Sequence, residues 1–228
     1  LSAGAGREPV LRAMRSVAGD PSVEQTERAG IQALRVCTGT HHATRTLAEV
    51  IARVREADAS PEAVAMAERV FFRIASGEGA VHGASDHFHE VGADDAIADV
   101  IGACTAFLSL YPDAVRILPV ALGCGEIRGS HGTYPAPAPA TVAILKGSGI
   151  TVRVGDPGEG ELCTPTGAAL LAEFAAIGMA TDSSGALVAV GYGAGSRDTP
   201  GTPNVLRVML LEADPALPAD RIDILESN

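Results

Sequence analysis

The sequence predicts an α+β fold, and three observations point to it. Apolar residues recur at helical spacing in several windows, other windows alternate or run apolar as strands do, and the two kinds are mixed without regular βαβ repetition. With 228 residues, 46% of them hydrophobic, the chain is long enough to bury a sizeable core. Aromatic residues make up only 4% and Trp is absent, so that core must be built from Ala, Val, Leu and Ile.

The elements follow in order. Val10, Leu11, Met14 and Val17 predict a helix over 8–18. Residues 22–28 and 31–38 read as strands around Gly30, a hairpin pattern. Leu47, Val50, Ile51 and Val54 give a second helix. Ser60 and Pro61 form a helix start, with Ser60 as N-cap and Pro61 in the first turn. That helix is expected to run to about Ser76, weakened or ended by Gly77, Gly79 and Gly83. A helix from Asp95 to Leu110 stops before Pro112. Residues 115–122 are an apolar strand that Pro119 demotes to an edge or bulged position. The proline-rich stretch 132–139 is extended, and a short helix follows at 140–146. A strand at 150–154 precedes a helix capped by Thr164 or Thr166 and ending near Ile177. Residues 186–192 and 204–212 are strands. Residues 1–212 are read as the main unit, and 213–228 begins with a Pro/Ala-rich linker at 213–220. The first residues, LSAGAG, resemble the interior of a longer protein.

Several function classes are disfavoured. A formal net charge of -11 argues against nucleic-acid binding, which needs clustered Lys and Arg. No segment approaches the roughly 20 apolar residues of a membrane span, and no signal peptide pattern is present. Cys37, Cys104, Cys124 and Cys163 form no C-x-x-C pair, so they read as small buried thiols in a reducing, cytoplasmic setting.

The densest polar chemistry is DHFHEVGADDAIAD, residues 86–99. His87 and His89, two apart, point to one side of an extended segment. Glu90 follows, and Asp95 and Asp99 share one face of the helix expected to begin there. The Gly92 turn can fold that face toward the histidines. Imidazole with carboxylate suits Zn, Ni, Fe or Mn, and spacing does not choose among them. The alternative is that Asp94 and Asp95 complement the helix dipole while His87 is a surface residue. His131 precedes a proline-stiffened run that would hold it in place. Glu161, Thr164, Thr166 and Gly167 lead into a helix start whose amides suit an anion, or simply a cap. Arg197, in the glycine-rich turn GYGAGSRD, can bind a phosphate or carboxylate, or pair with Asp198 or a Glu. His41 and His42 sit at a strand-to-helix junction.

Five blocks, HFHEVGADDAIADVIG (87–102), HGTYPAPAPAT (131–141), GELCTPTGAALLAEF (160–174), GYGAGSRD (191–198) and PNVLRV (203–208), together resemble the LarC-type nickel-insertion family. The order and separations are similar to the family's. The family's glycine- and Asp-containing N-terminal motif is missing, and Asp94 stands where an apolar residue is typical, which favours Asp95 and Asp99 over it. The resemblance implies a CTP-dependent nickel chelatase, a lyase acting with Mg2+ or Mn2+. It would insert Ni2+ into pyridinium-3,5-bisthiocarboxylic acid mononucleotide to form the nickel-pincer cofactor of lactate racemase-type enzymes. The tail IDILESN (222–228) resembles the opening of the family's C-terminal domain, and the nucleotide role belongs to the remainder of that domain, which is expected to be absent. Implied partners are that mononucleotide and a cofactor-accepting apoenzyme; a homo-oligomer is among the states allowed. On this reading His87, His89, Glu90, Asp95 and Asp99 hold the metal. His131 or the Glu161 carboxylate removes the ring proton. Thr164, Thr166, Gly167 and Arg197 receive the phosphate. Two rivals stay open: a metal-dependent hydrolase built on the same cluster, and a non-enzymatic nickel carrier.

Overall fold

The computed structural model describes residues 1–39, 43–82, 87–88, 92–129, 132–155, 160–180, 184–198, 203–212 and 222–227. In chain order the elements are α1 (Arg7–Val17), β1 (Ser22–Arg28), β2 (Ile31–Cys37), β3 (Arg45–Thr46), α2 (Leu47–Arg55), α3 (Pro61–His82), β4 (His87–Phe88), α4 (Asp94–Leu108) and β5 (Ala114–Ile117). They continue with β6 (Val120–Ala121), β7 (Gly123–Cys124), β8 (Glu126–Gly129), β9 (Gly132–Pro135), α5 (Pro139–Leu145), β10 (Val152–Arg153), β11 (Gly160–Glu161), α6 (Pro165–Ala175), β12 (Ala186–Ala194), β13 (Val205–Glu212) and β14 (Ile222–Ser227). The α+β class holds.

Six strands form the main sheet in the order β1-β2-β12-β13-β14-β5. The β1–β2 hairpin turns on Ala29 and Gly30, both at positive φ (46° and 84°), as a tight two-residue turn requires. The segment 222–227, expected to open a further domain, pairs as β14 with β13 on one side and β5 on the other. Alternate residues of the sheet face the helices. Val115 and Ile117 enter the core, and Val23, Val36 and Val208 pack against it. The core itself is aliphatic, as the composition demands: Val10, Val50, Ile74, Ile97, Ile101 and Ala168 are fully or nearly fully buried. Its one stacked aromatic pair among the described residues, Phe107 on Phe174 at 3.9 Å, joins α4 to α6.

Two expectations are corrected. The helix expected to end near Ser76 runs through Gly77 and Gly79 to His82. Gly77 is there for packing: a Cβ at that position would lie 2.5 Å from Ile144 Cγ1 and 3.2 Å from the Ala140 carbonyl of α5. Gly79 has open space around it. Adding a methyl should therefore have opposite signs at two positions half a turn apart. Gly79→Ala is expected to stabilise by about 0.5–1 kcal/mol through the unfolded chain's lost freedom. Gly77→Ala is expected to lower stability by about 1–2 kcal/mol, since overpacking outweighs that gain. Urea denaturation of both variants checks this, and a gain at Gly77 would contradict the packing role. The second correction concerns Pro119. It splits the expected strand 115–122 into β5, in the main sheet, and β6, which pairs in parallel with β10 in a ladder of its own. Proline lacks the N–H that a continuous ladder needs.

Candidate functional site

The polar positions singled out above fall in two corners. The first is built by β3, β4 and the start of α4. Thr46 ends β3 and caps α2, with its hydroxyl accepting from Glu49 N while the Glu49 carboxylate accepts from Thr46 N at 2.7 Å. This capping box fixes where β3 stops. Antiparallel pairing sets Thr46 opposite His87 and Arg45 opposite Phe88. Arg45 then reaches past β4 to the turn before α4. Its guanidinium donates to the Gly92 carbonyl at 2.5 Å and lies 2.8 Å from Asp94 Oδ1. Both side chains are about four-fifths buried. The strand carrying His87 is thereby tied to the helix carrying Asp95 and Asp99, and Asp94 is committed to that tie.

Asp95 Oδ1 accepts from Ala96 N at 2.9 Å in the first helical turn. Asp99 follows one turn later on the same face, as the spacing predicts. Its carboxyl is pushed up to about 6, first by desolvation and then by the charge of Asp95. Asp99 is itself exposed at the surface of α4, so solvent screening tempers that push. Among the described residues no Lys or Arg pairs with either carboxylate. His89, Glu90, His41 and His42 lie outside the described residues, and His87 is described by its backbone alone. Among the described residues no three His, Cys, Asp or Glu side chains gather as a metal-holding group.

The second corner is built by β7, β11 and α6. Gly123 and Gly160 let β7 and β11 approach closely: a Cβ on Gly123, whose φ is +80°, would sit 2.1 Å from the Gly160 carbonyl. Glu161 is half-buried, and its carboxylate lies 3.4 Å from the hydroxyl of Thr141. Thr141 is fully buried on α5 and also donates to the Cys163 carbonyl at 3.2 Å. Burial, with Glu161 next, pushes the Cys163 thiol up to about 12, so it is inert. Cys104 is raised to about 12 as well, first by burial. None of the four cysteines is in a disulfide; Cys104 and Cys163 are buried as expected, whereas Cys37 and Cys124 are half-buried.

Thr164 is the N-cap of α6, accepting from Gly167 N at 3.2 Å. That bond uses the Gly167 amide, and Pro165 has none. Of the first-turn donors Thr166 N–H is left without an intrahelical acceptor. Arg197 arrives from the turn after β12. It donates to the Glu161 carbonyl, and its Nη2 lies 2.6 Å from the position that a Cβ on Gly160 would take. Arg197 therefore does not pair with Asp198, which faces Arg28 instead. Glu161, Thr164, Gly167 and Arg197 are brought together; His131 lies outside the described residues.

The two corners are linked through α5. Ala140 and Ile144 pack on Gly77, near the end of α3 that leads toward β4, while Thr141 reaches Glu161. Sequence reading missed Thr141, Arg45 and Arg28. Thr141 has a weak signal, a hydroxyl among the inward positions Ala140, Ile144 and Leu145. Arg45 and Arg28 have none, because their partners are 47 and 167 residues away.

No helix among the described residues is long and apolar enough to cross a membrane. No solved structure matches the chain. Curated relatives do. A protein of Methanosarcina acetivorans is 42% identical over 212 residues, covering 90% of this chain and 53% of its own length. One from Methanosarcina mazei is 40% identical over 237 aligned positions, covering 100% of this chain and 59% of its own. One from Geobacter metallireducens is 40% identical over 212 residues, covering 91% and 53%. Each is named "Putative nickel insertion protein". The chain thus spans little more than half the length of these relatives. A sequence model described as "Nickel insertion protein" matches residues 1–228, and the chain belongs to that family.

Proposed function

We propose that this chain is the nickel- and substrate-handling part of an enzyme that inserts Ni2+ into pyridinium-3,5-bisthiocarboxylic acid mononucleotide, yielding the nickel-pincer cofactor of lactate racemase-type enzymes. The observation that carries the reading is the carboxylate pair of α4. Asp95 and Asp99 share a face without a basic partner among the described residues, and the strand bearing His87 is strapped to that helix by Arg45. A carboxylate whose ionised form is made costlier by its surroundings and by a neighbouring carboxylate is what a divalent cation relieves.

In this reading His87, His89 and Glu90 join Asp95 and Asp99 around the nickel. Imidazole and carboxylate are harder donors than thiolate, so the ion passes readily to the softer sulfurs of the substrate. A base, His131 or Glu161, takes the ring proton as the nickel–carbon bond forms. Arg197, with the Thr166 amide at the capped start of α6, receives the mononucleotide phosphate. CTP with Mg2+ or Mn2+, and transfer of the product to an apoenzyme, are assigned to the full-length family member. The compartment in this reading is the cytoplasm.

Titrating the chain with Ni2+, Zn2+ and Mn2+ tests the proposal. Nickel affinity is expected to fall at least about tenfold in His87→Ala/His89→Ala, on the scale of losing a metal site's supporting groups. Unchanged affinity in that variant would sink the site. Hydrolysis of a generic phosphoester with Mn2+ would favour the metal-dependent hydrolase. One bound nickel per chain, with no CTP-linked product from the full-length protein, would favour a carrier.

A further inference from the structure

Arg28 closes β1, next to the hairpin turn, and its side chain is nine-tenths buried. Nη1 donates to Thr26 Oγ1 at 2.8 Å and to the Glu27 carbonyl at 3.0 Å. Nη2 donates to the Gly195 carbonyl at 3.0 Å, 167 residues along the chain. Nε faces Asp198 Oδ1 at 3.8 Å and has no hydrogen-bond partner of its own. One buried guanidinium therefore hydrogen-bonds one end of the turn 195–198 and faces the other as a longer ion pair. The residue between those ends that reaches the other way is Arg197, whose guanidinium lies over Gly160 and donates to the Glu161 carbonyl.

The chemistry of the turn makes such a grip necessary. Gly195 and Ser196 are exposed and belong to no strand. A glycine-rich turn samples many conformations, and an exposed arginine on it samples more. Arg197's own contact to one carbonyl is a single anchor at a flexible site. The planar fork of Arg28, already immobilised by Thr26 and Glu27, supplies the second anchor with little further entropy loss. A lysine in its place has one charged centre and cannot span both ends of the turn in the same way.

We infer that Arg28 is a positioning residue: by holding Gly195 and Asp198 it sets the Arg197 guanidinium at the β11–α6 corner, where the substrate's phosphate is received. The inference rests on the assignment of Arg197 to that phosphate, and two readouts separate them. The first is amide hydrogen exchange of the metal-free chain. Arg28→Gln is expected to speed exchange at 195–198 and also at 160–162, on the far side of Arg197. Arg197→Ala should speed 160–162 equally, and the double variant should speed it no further. Protection in α3 and α4 serves as the control for global folding. The second readout is affinity for nicotinic acid mononucleotide, which keeps the pyridinium ring and the phosphate. It should fall about tenfold in Arg28→Gln and less in Arg28→Lys, with Arg28→Gln having no added effect in the Arg197→Ala background. Should Arg28→Gln not fold, Asp198→Asn removes the ion-pair half of the hold and should move both readouts in the same direction by less; no movement in either would overturn the inference.

If 160–162 exchange as in the native chain while 195–198 loosen, or if the two substitutions multiply, Arg28 does not position Arg197. If exchange behaves as expected but neither variant weakens mononucleotide binding, Arg28 does position Arg197, and it is the phosphate role of Arg197 that falls.

Discussion

Replacing Arg69 and Arg73 together by Ala is expected to destabilise the protein by about 3–5 kcal/mol, far beyond what two half-exposed arginines ordinarily contribute. They lie one turn apart on α3 and share a single partner, Glu173 of α6. Arg69 Nε donates to one carboxylate oxygen and Arg73 Nε to the other at 2.9 Å. The exposures make the arrangement lopsided: 54% and 39% for the arginines, 3% for the glutamate. Losing Glu173 leaves two cations that water can solvate. Losing the arginines leaves an anion in the core beside Cys104 with no partner, which is the costly case. Glu173→Gln should accordingly cost only about 1–2 kcal/mol. Adding Glu173→Met to the double Ala variant should recover most of the loss, because an apolar side chain of similar size suits the vacated environment. Chemical denaturation of the three variants beside the native chain decides it. A double-variant loss of 1 kcal/mol or less would place these contacts among ordinary surface ion pairs. The consequence reaches the site, since α6 begins at Thr164 and its seating on α3 sets where that start lies relative to β11.

This asymmetry was invisible in the sequence, and the reason is general to what was and was not legible there. Patterns that depend on neighbours in the chain came through. The apolar spacing of α1, α2 and α4 and the Thr164 cap are local, and so is the i, i+4 relation of Asp95 and Asp99. What depends on a distant surface did not. Gly77 looked like a helix breaker because the close approach of Ile144 lies 67 residues away in the chain (144 − 77), and that approach is what makes glycine the right residue. The β8–β9 hairpin was read only as an extended proline-rich run, since β8, EIRG, has no alternation that marks it as a strand. Arg45 and Arg28 appeared as two of 17 basic residues, and only tertiary pairing turns each into a strap. The candidate site was therefore legible as a list of donors, while the residues that hold those donors in place were not.

Asp95→Asn/Asp99→Asn is expected to bind nickel at least about 10–100-fold more weakly, the range that loss of a mere outer-shell partner already costs a metal site, while Asp99→Asn alone makes the metal-free protein more stable. The opposite signs follow from one electrostatic fact. Asp99 is crowded by protein and repelled by Asp95, so its carboxyl is held near 6, above the 3.8 of an unperturbed aspartate. Folded protein therefore binds a proton at Asp99 more tightly than unfolded protein does. The sign for stability is set by that difference: the folded state is favoured as pH falls through 6 toward 4, and penalised once pH exceeds 6. Asparagine removes the penalty. Because Asp99 retains solvent contact, screening limits the gain to about 1 kcal/mol or less. The melting temperature of Asp99→Asn should thus exceed that of the native chain above pH 6, with the difference vanishing below pH 4. Nickel requires the ionised carboxylate, so native affinity should weaken as pH drops through 6. A purely structural carboxylate pair cannot produce this pattern: its removal would cost stability, or leave it unchanged, and would not touch nickel affinity. Thermal melts and nickel titrations at pH 5 and 7.5 separate the two. If the substitution lowers stability and leaves the nickel isotherm where it was, the pair belongs to the helix start and not to a metal site.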